Sequence, residues 1–233
     1  MKKVFAIVFL GALSAAAIAS PASAQAGGGM AGMKMDDQQK PVTQEGPTPP
    51  GWMIRPDNPA NKPETVNFVT MGPGMHVTSG NTAAIYWNPA NTASGTYTVS
   101  GTFGAREIPL HDAIGLIWGG SDLGGDKESY GYFLVYGNGT FAVKHRSGTN
   151  NKTDVHTVVA QTANAAIKPA DKDHGAASNK LAVKVAADSV RFFVNDVEVA
   201  AVDGKNPMAP SSGIYGFRVN HGISVHVAGL AKQ

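Results

Sequence analysis

Trp118, Tyr130, Lys144 and Arg146 stand close together in the chain. Trp118 precedes a Gly-rich loop, residues 119–128, that carries Asp122. Tyr130, Tyr132 and Tyr136 follow on one strand-like run, and Lys144 and Arg146 on the next. Period-2 alternation puts Lys144 and Arg146 on one face of their strand, so the hairpin has a basic face flanked by tyrosines. Aromatic rings beside charged groups suit a ligand with C–H faces and polar edges, as sugars have. The same aromatics also suit the core of a β-sandwich. Arg218 and His221, near the last predicted turn, are the other polar residues placed to reach a ligand.

Other chemistries find less support. Asp122, Asp126 and Glu128 offer carboxylate oxygens in a Gly-rich loop, as a Ca²⁺ site would, but their spacing matches no known calcium loop. The histidines are His76, His111, His145, His156, His174, His221 and His226, and no pair has the spacing of a metal-binding helix. No metal site is therefore expected from them, and no G-x-S-x-G elbow is present. The chain has no Cys, which excludes disulfides, a thiol nucleophile and covalently attached c-type haem. Met30, Met33 and Met35 offer soft thioethers that suit Cu(I), or are simply part of a spacer.

These residues need a scaffold, and the chain divides into three stretches. Lys2 and Lys3 precede an apolar run that ends near Ala22-Ser23-Ala24, a small-x-small cleavage site. Residues 1–24 read as a signal peptide, which predicts an exported protein, periplasmic or extracellular, with no stable membrane insertion after cleavage. Without Lys2 and Lys3 the 19 basic and 17 acidic residues come into balance, so a nucleic-acid partner is not expected. Residues 25–64 are rich in Gly, Met and Pro and read as a flexible linker, with Trp52, Met53 and Ile54 as an N-terminal clasp on the domain.

Residues 65–233 carry strand after strand and no three-turn amphipathic helix. The runs are 66–70, 74–78, 82–87, 95–103, 113–118, 129–136, 140–146 and 155–161, followed by five more between 179 and 229. Asn195-Asp196 reads as a two-residue hairpin turn. Residues 213–219 and 223–229 read as a last strand pair. Run 129–136 is apolar on both faces, so it belongs in the middle of a sheet, with one face on the core and the other on a groove or loop. The fold class expected is all-β: one antiparallel β-sandwich of jelly-roll type.

The runs Asn179-Lys-Leu-Ala-Val-Lys-Val, Val190-Arg-Phe-Phe-Val-Asn-Asp and Gly213-Ile-Tyr-Gly-Phe resemble the C-terminal half of the concanavalin A-like lectin/glucanase superfamily. Tyr130-Gly-Tyr-Phe-Leu-Val with Gly139-Thr-Phe-Ala-Val-Lys is similar to its middle hairpin. Laminin-G-like and keto-disaccharide-hydrolase-like members are nearest. The resemblance covers roughly residues 95–230 and implies a fold that hosts lectins, glycosidases and adhesion modules. The E-x-D-x-E strand of the laminarinase-type glycosidases is missing, and so are the Asn-Ser-Gly and Tyr-Glu strands of the keto-disaccharide hydrolases.

The expectation is a non-catalytic module for a carbohydrate or cell-envelope ligand, with Trp118, Asp122, Tyr130, Lys144, Arg146, Arg218 and His221 as site residues. One alternative is a glycoside hydrolase or lyase acting on (keto-)disaccharides. Another is a structural envelope protein with a weak copper site in its methionine tail.

Overall fold

The computed structural model describes residues 42–61, 65–149, 152–172 and 175–233. The predicted signal peptide and Met30, Met33 and Met35 lie outside these residues. The strands, in chain order, are β1 (Met53–Pro56), β2 (Val66–Met71), β3 (Gly74–Ser79), β4 (Ala84–Ala93), β5 (Tyr97–Glu107), β6 (Ala113–Ser121) and β7 (Glu128–Tyr136). They continue with β8 (Thr140–Thr149), β9 (Lys152–Ala163), β10 (Ala177–Val185), β11 (Ser189–Val194), β12 (Val197–Asp203), β13 (Gly213–Val219) and β14 (Ser224–Lys232). Among the described residues no helix is long and apolar enough to cross a membrane.

Two seven-stranded antiparallel sheets face each other in a jelly-roll sandwich. The first runs β1-β4-β13-β6-β7-β8-β9 and the second β12-β11-β10-β5-β14-β3-β2. Alternation explains how each strand seats. In β10, Leu181, Val183 and Val185 point inward and register against Val194, Phe192 and Val190 of β11. Asn195 and Asp196 turn the next hairpin, β11–β12, with φ of 50° and 67°, the left-handed pair that a tight two-residue turn needs.

Strand β7 lies between β6 and β8 and is buried on both faces. Phe133 and Val135 belong to the cluster between the sheets. Tyr130, Tyr132, Leu134 and Tyr136 belong to a second cluster on the outer face, with Ile85, Trp87, Ile117 and Leu123.

Two sequence expectations change. Strands β13 and β14 are not a pair: β13 lies between β4 and β6, and β14 between β5 and β3 in the other sheet. The link through Asn220, His221 and Gly222 crosses the end of the sandwich, with Gly222 at φ 67° and its N–H donating to Gly80 O. Phe217 and Val219 then enter the core from one side, and Val225 and Val227 from the other. An arch between sheets and a hairpin within one sheet give the same alternation, so periodicity does not separate them.

The second change lies in the Pro-rich stretch, which contributes a strand as well as the expected clasp. Met53–Pro56 pairs with β4 as an edge strand. Trp52 packs its ring 5.8 Å from Phe68 and 5.5 Å from Phe217. Upstream, the Gln44 side chain exchanges two hydrogen bonds, each 3.0 Å, with the Phe68 main chain, which takes up free groups along the β2 edge.

Candidate functional site on the outer face of the first sheet

Four strands and one loop place charged groups on the outer face of the first sheet. Arg218 projects from β13 and Arg146 from β8, while Arg55 comes from β1, Glu128 from the start of β7, and Asp57 from the residue after β1. Arg218 holds Asp57 with both terminal guanidinium nitrogens: Nη1 donates to Oδ1 at 2.7 Å and Nη2 to Oδ2. Arg146 Nε donates to Glu128 Oε1 at 2.9 Å, and Arg146 Nη1 is 3.5 Å from Asp57 Oδ2. Arg55 Nε is 3.3 Å from the other Glu128 oxygen. Arg55 Nη1 also donates to the carbonyls of Leu123 and Gly125, tying the 121–127 loop to the network.

Each carboxylate is therefore shared by two guanidiniums. The Glu128 side chain is 2% exposed and that of Arg218 8%, so separating either from its partners leaves a charge in a poor solvent. Burial by itself would raise the Asp57 pKa. The attraction and hydrogen bonds of Arg218, with Arg146 and His221 behind, outweigh it and hold the carboxyl below its ordinary range.

Tyrosines complete the face. The Arg218 guanidinium carbon sits 5.3 Å from the centre of the Tyr132 ring, a cation–π contact. Tyr130 lies 5.6 Å from Tyr132, ring to ring. Burial raises the phenol pKa of Tyr130, Tyr132 and Tyr136, so all three stay neutral near pH 7 and can donate hydrogen bonds. Lys144, half-buried, shares the face. Three guanidiniums against two carboxylates leave the network with an excess of positive charge, and Lys144 adds to it.

Of the residues expected at a site, Tyr130, Lys144, Arg146 and Arg218 come together here. Trp118 does not. It points between the sheets with no exposure, its ring 5.4 Å from Phe192 and its Nε1–H donating to Pro210 O at 3.0 Å. Alternation along β6 sends Ile117 to the outer face and Trp118 to the core, where it cannot stack on a ligand. Gly131 gives it room, since a Cβ there would meet the Trp118 ring at 2.5–2.7 Å.

Asp122 is exposed, at φ 48°, and its Oδ2 accepts the Lys127 N–H at 2.7 Å. Asp126 is exposed as well, while Glu128 turns inward to its arginines. Two of the three carboxylates considered from sequence for Ca²⁺ thus face solvent, and the third is taken by arginines. His221 stands at the end of the face: its Nδ1 is 2.8 Å from Asp112 Oδ1, and its neighbour Asn220 accepts from Arg218 Nε at 3.2 Å.

Sequence reasoning missed Arg55 and Asp57 and gave Glu128 a different role. Glu128 is in phase with Tyr130 and Tyr132 along β7, a usable signal. Arg55 and Asp57 lie in a stretch whose composition reads as linker.

A scan against protein-family models finds no match, and a search of curated proteins finds none either. Solved structures do match. A protein of unknown function with a galectin-like fold from Bacillus subtilis aligns with TM-score 0.56 at 12% identity, over 78% of this chain and 88% of that one. The carbohydrate binding module CBM66 from Bacillus subtilis aligns with TM-score 0.53 at 15% identity, over 78% and 95%. The metal-free carbohydrate recognition domain of Emp46p aligns with TM-score 0.51 at 13% identity, over 78% and 87%. The chain has the concanavalin A-like jelly-roll fold that these likenesses share.

Proposed function

We propose that this domain is a non-catalytic module that binds a glycan or cell-envelope ligand on the outer face of its first sheet. The observation that carries the reading is the tyrosine–arginine array: Tyr132 and Tyr136, 5% and 8% exposed, beside Arg146, Arg218 and Lys144, with Tyr130, 1% exposed, packed against Tyr132 as support. Rigid rings and fixed donors recognise sugars with little loss of side-chain freedom on binding. The excess positive charge favours glycans bearing carboxylate or sulfate. Solved structures of the same fold include a carbohydrate binding module and a carbohydrate recognition domain, which supports the class of ligand and not its identity. Residues 1–24 act in this reading as the export signal and the stretch that follows as a tether, which places the module in the periplasm or outside the cell.

The enzyme alternative has one observation in its favour: Asp57 and Glu128 both reach Arg146. A glycosidase needs one carboxyl that holds a proton near neutral pH. Asp57 is held below its ordinary range, and each carboxylate is occupied by two arginines. Both features favour binding over acid catalysis.

The test is a glycan array probed with the mature chain, neutral and acidic glycans side by side. Acidic glycans are expected to bind, and a Lys144→Ala/Tyr136→Phe variant, which keeps the buried ring, with an unchanged melting curve to bind at least about tenfold more weakly. Failure to bind any glycan, or equal binding by the variant, would overturn the reading. Release of reducing ends that stops with Asp57→Asn would establish the enzyme instead.

A further inference from the structure

Asp112 differs from Glu128, the other buried acid among the described residues. The Asp112 side chain is 1% exposed, yet among the described residues no arginine or lysine forms an ion pair with it. Its partners are two imidazoles: His221 Nδ1 lies 2.8 Å from Oδ1 and 2.9 Å from Oδ2, and His111 Nε2 lies 3.3 Å from Oδ2. Imidazole, unlike guanidinium, carries no permanent charge. The buried carboxylate therefore lacks the fixed cation that Asp57 and Glu128 have.

The main chain sets these three side chains in place. The Asp112 N–H donates to Pro109 O at 3.0 Å, and its carbonyl accepts the Gly137 N–H at 3.0 Å. Asn220 N–H donates to Ala113 O at 3.0 Å, which brings the β13–β14 arch beside the β5–β6 loop. One ligating atom from each of His111, Asp112 and His221 lies within 4.8 Å of the other two. Around a metal with bonds of about 2.1 Å, neighbouring ligand atoms sit roughly 3.0–3.4 Å apart. The imidazole–carboxylate spacings here are close to that. The side chains of His111 and His221 are 62% and 49% exposed, so solvent or a ligand can fill further positions.

We propose that His111, Asp112 and His221 form a binding site for a divalent first-row transition metal, with Zn²⁺ as the simplest occupant. Two nitrogens and one carboxylate oxygen suit Zn²⁺, Ni²⁺ or Co²⁺, whereas Ca²⁺ and Mg²⁺ prefer all-oxygen shells. The site adjoins the tyrosine–arginine array at His221 but uses none of its tyrosines or arginines, so it stands whether or not that array binds a glycan. The same spacing also serves imidazole–carboxylate hydrogen bonds, so metal and protons compete, and affinity falls as the medium is made acidic.

Co²⁺ titration of the mature chain, read by visible d–d absorption, tests this. One Co²⁺ per chain is expected, displaced by Zn²⁺ and not by excess Ca²⁺. His111→Ala and His221→Ala should each weaken binding by at least the roughly 10–100-fold that even an outer partner costs. His156→Ala, away from the cluster, should leave it unchanged. Both mutated imidazoles are at the surface, and matching melting curves without metal would show that the fold persists. His111→Ala alone, the more exposed position, gives the same reading if His221→Ala does not fold. No Co²⁺ binding, binding that survives the double His111→Ala/His221→Ala change, or displacement by Ca²⁺ would overturn the site.

Discussion

The two outer faces of the sandwich share a fold and little else. On the first sheet, charge is buried: Glu128, Arg146 and Arg218 interlock among tyrosines. On the second sheet, charge is solvated. Lys180 pairs with Asp196 at 2.7 Å with side chains 50% and 77% exposed, and Arg191 with Glu198 at 3.2 Å with 48% and 39% exposed. Thr98, Ser100 and Lys184 line the shallow groove between them. Distances alone do not separate the faces, since their ion pairs are equally short. What differs is the cost of breaking them. A solvated pair gains little because water serves each partner nearly as well. A buried network was dehydrated to form, so removing one member strands the rest.

The largest effect should come from Arg218→Ala, which leaves Asp57 facing a depleted network. A loss of about 3–5 kcal/mol in denaturant unfolding is expected. A loss under about 1 kcal/mol would show this face to be no different from the other. Tyr132→Leu keeps the apolar bulk and removes the ring beneath Arg218. It should cost about 1 kcal/mol, and a cycle with Arg218→Met should show the two changes coupled.

Acid should separate the groups by pH. Asp57 has a lowered folded pKa, so its stabilisation is complete above its unfolded value near 3.8 and is lost as pH falls through the folded value. His76 and His145 are also lowered, chiefly by burial, with Arg106 and His226 near the first and His156 near the second. Their contribution is complete above about pH 6.5 and declines below it. Stability should therefore fall in two stages on acidification, the early one reduced in a His145→Gln variant and the late one in Asp57→Asn. The smallest effect belongs to the second sheet: Lys180→Ala should change stability by about 0.5 kcal/mol or less.

Much of the fold was legible because strands announce themselves by alternation, as Leu181, Val183 and Val185 do. The two-faced burial of β7 could be read the same way, with Phe133 and Val135 on the core side and Tyr130, Tyr132 and Tyr136 on the other. Which sheet a strand joins was not legible, as β13 and β14 show, because that depends on where the link between them crosses. Trp118 misled because proximity in sequence was taken over phase: it is one residue out of step with Ile117 on β6. Asp57 and Arg218 are far apart in the chain, and so are Asp112 and His221, and no local pattern joins residues that only tertiary structure brings together.

The Arg218–Asp57 pair spans 161 residues. During synthesis Asp57 leaves the ribosome early and must wait for nearly the whole domain before its partner exists. Bringing such distant points together is entropically slow, and topologies dominated by such contacts are slow to fold. The tyrosine–arginine face is thus closed by one of the last contacts the chain can make. A half-folded chain can present strands and a partial core, but not this surface, so ligand capture would report a finished molecule.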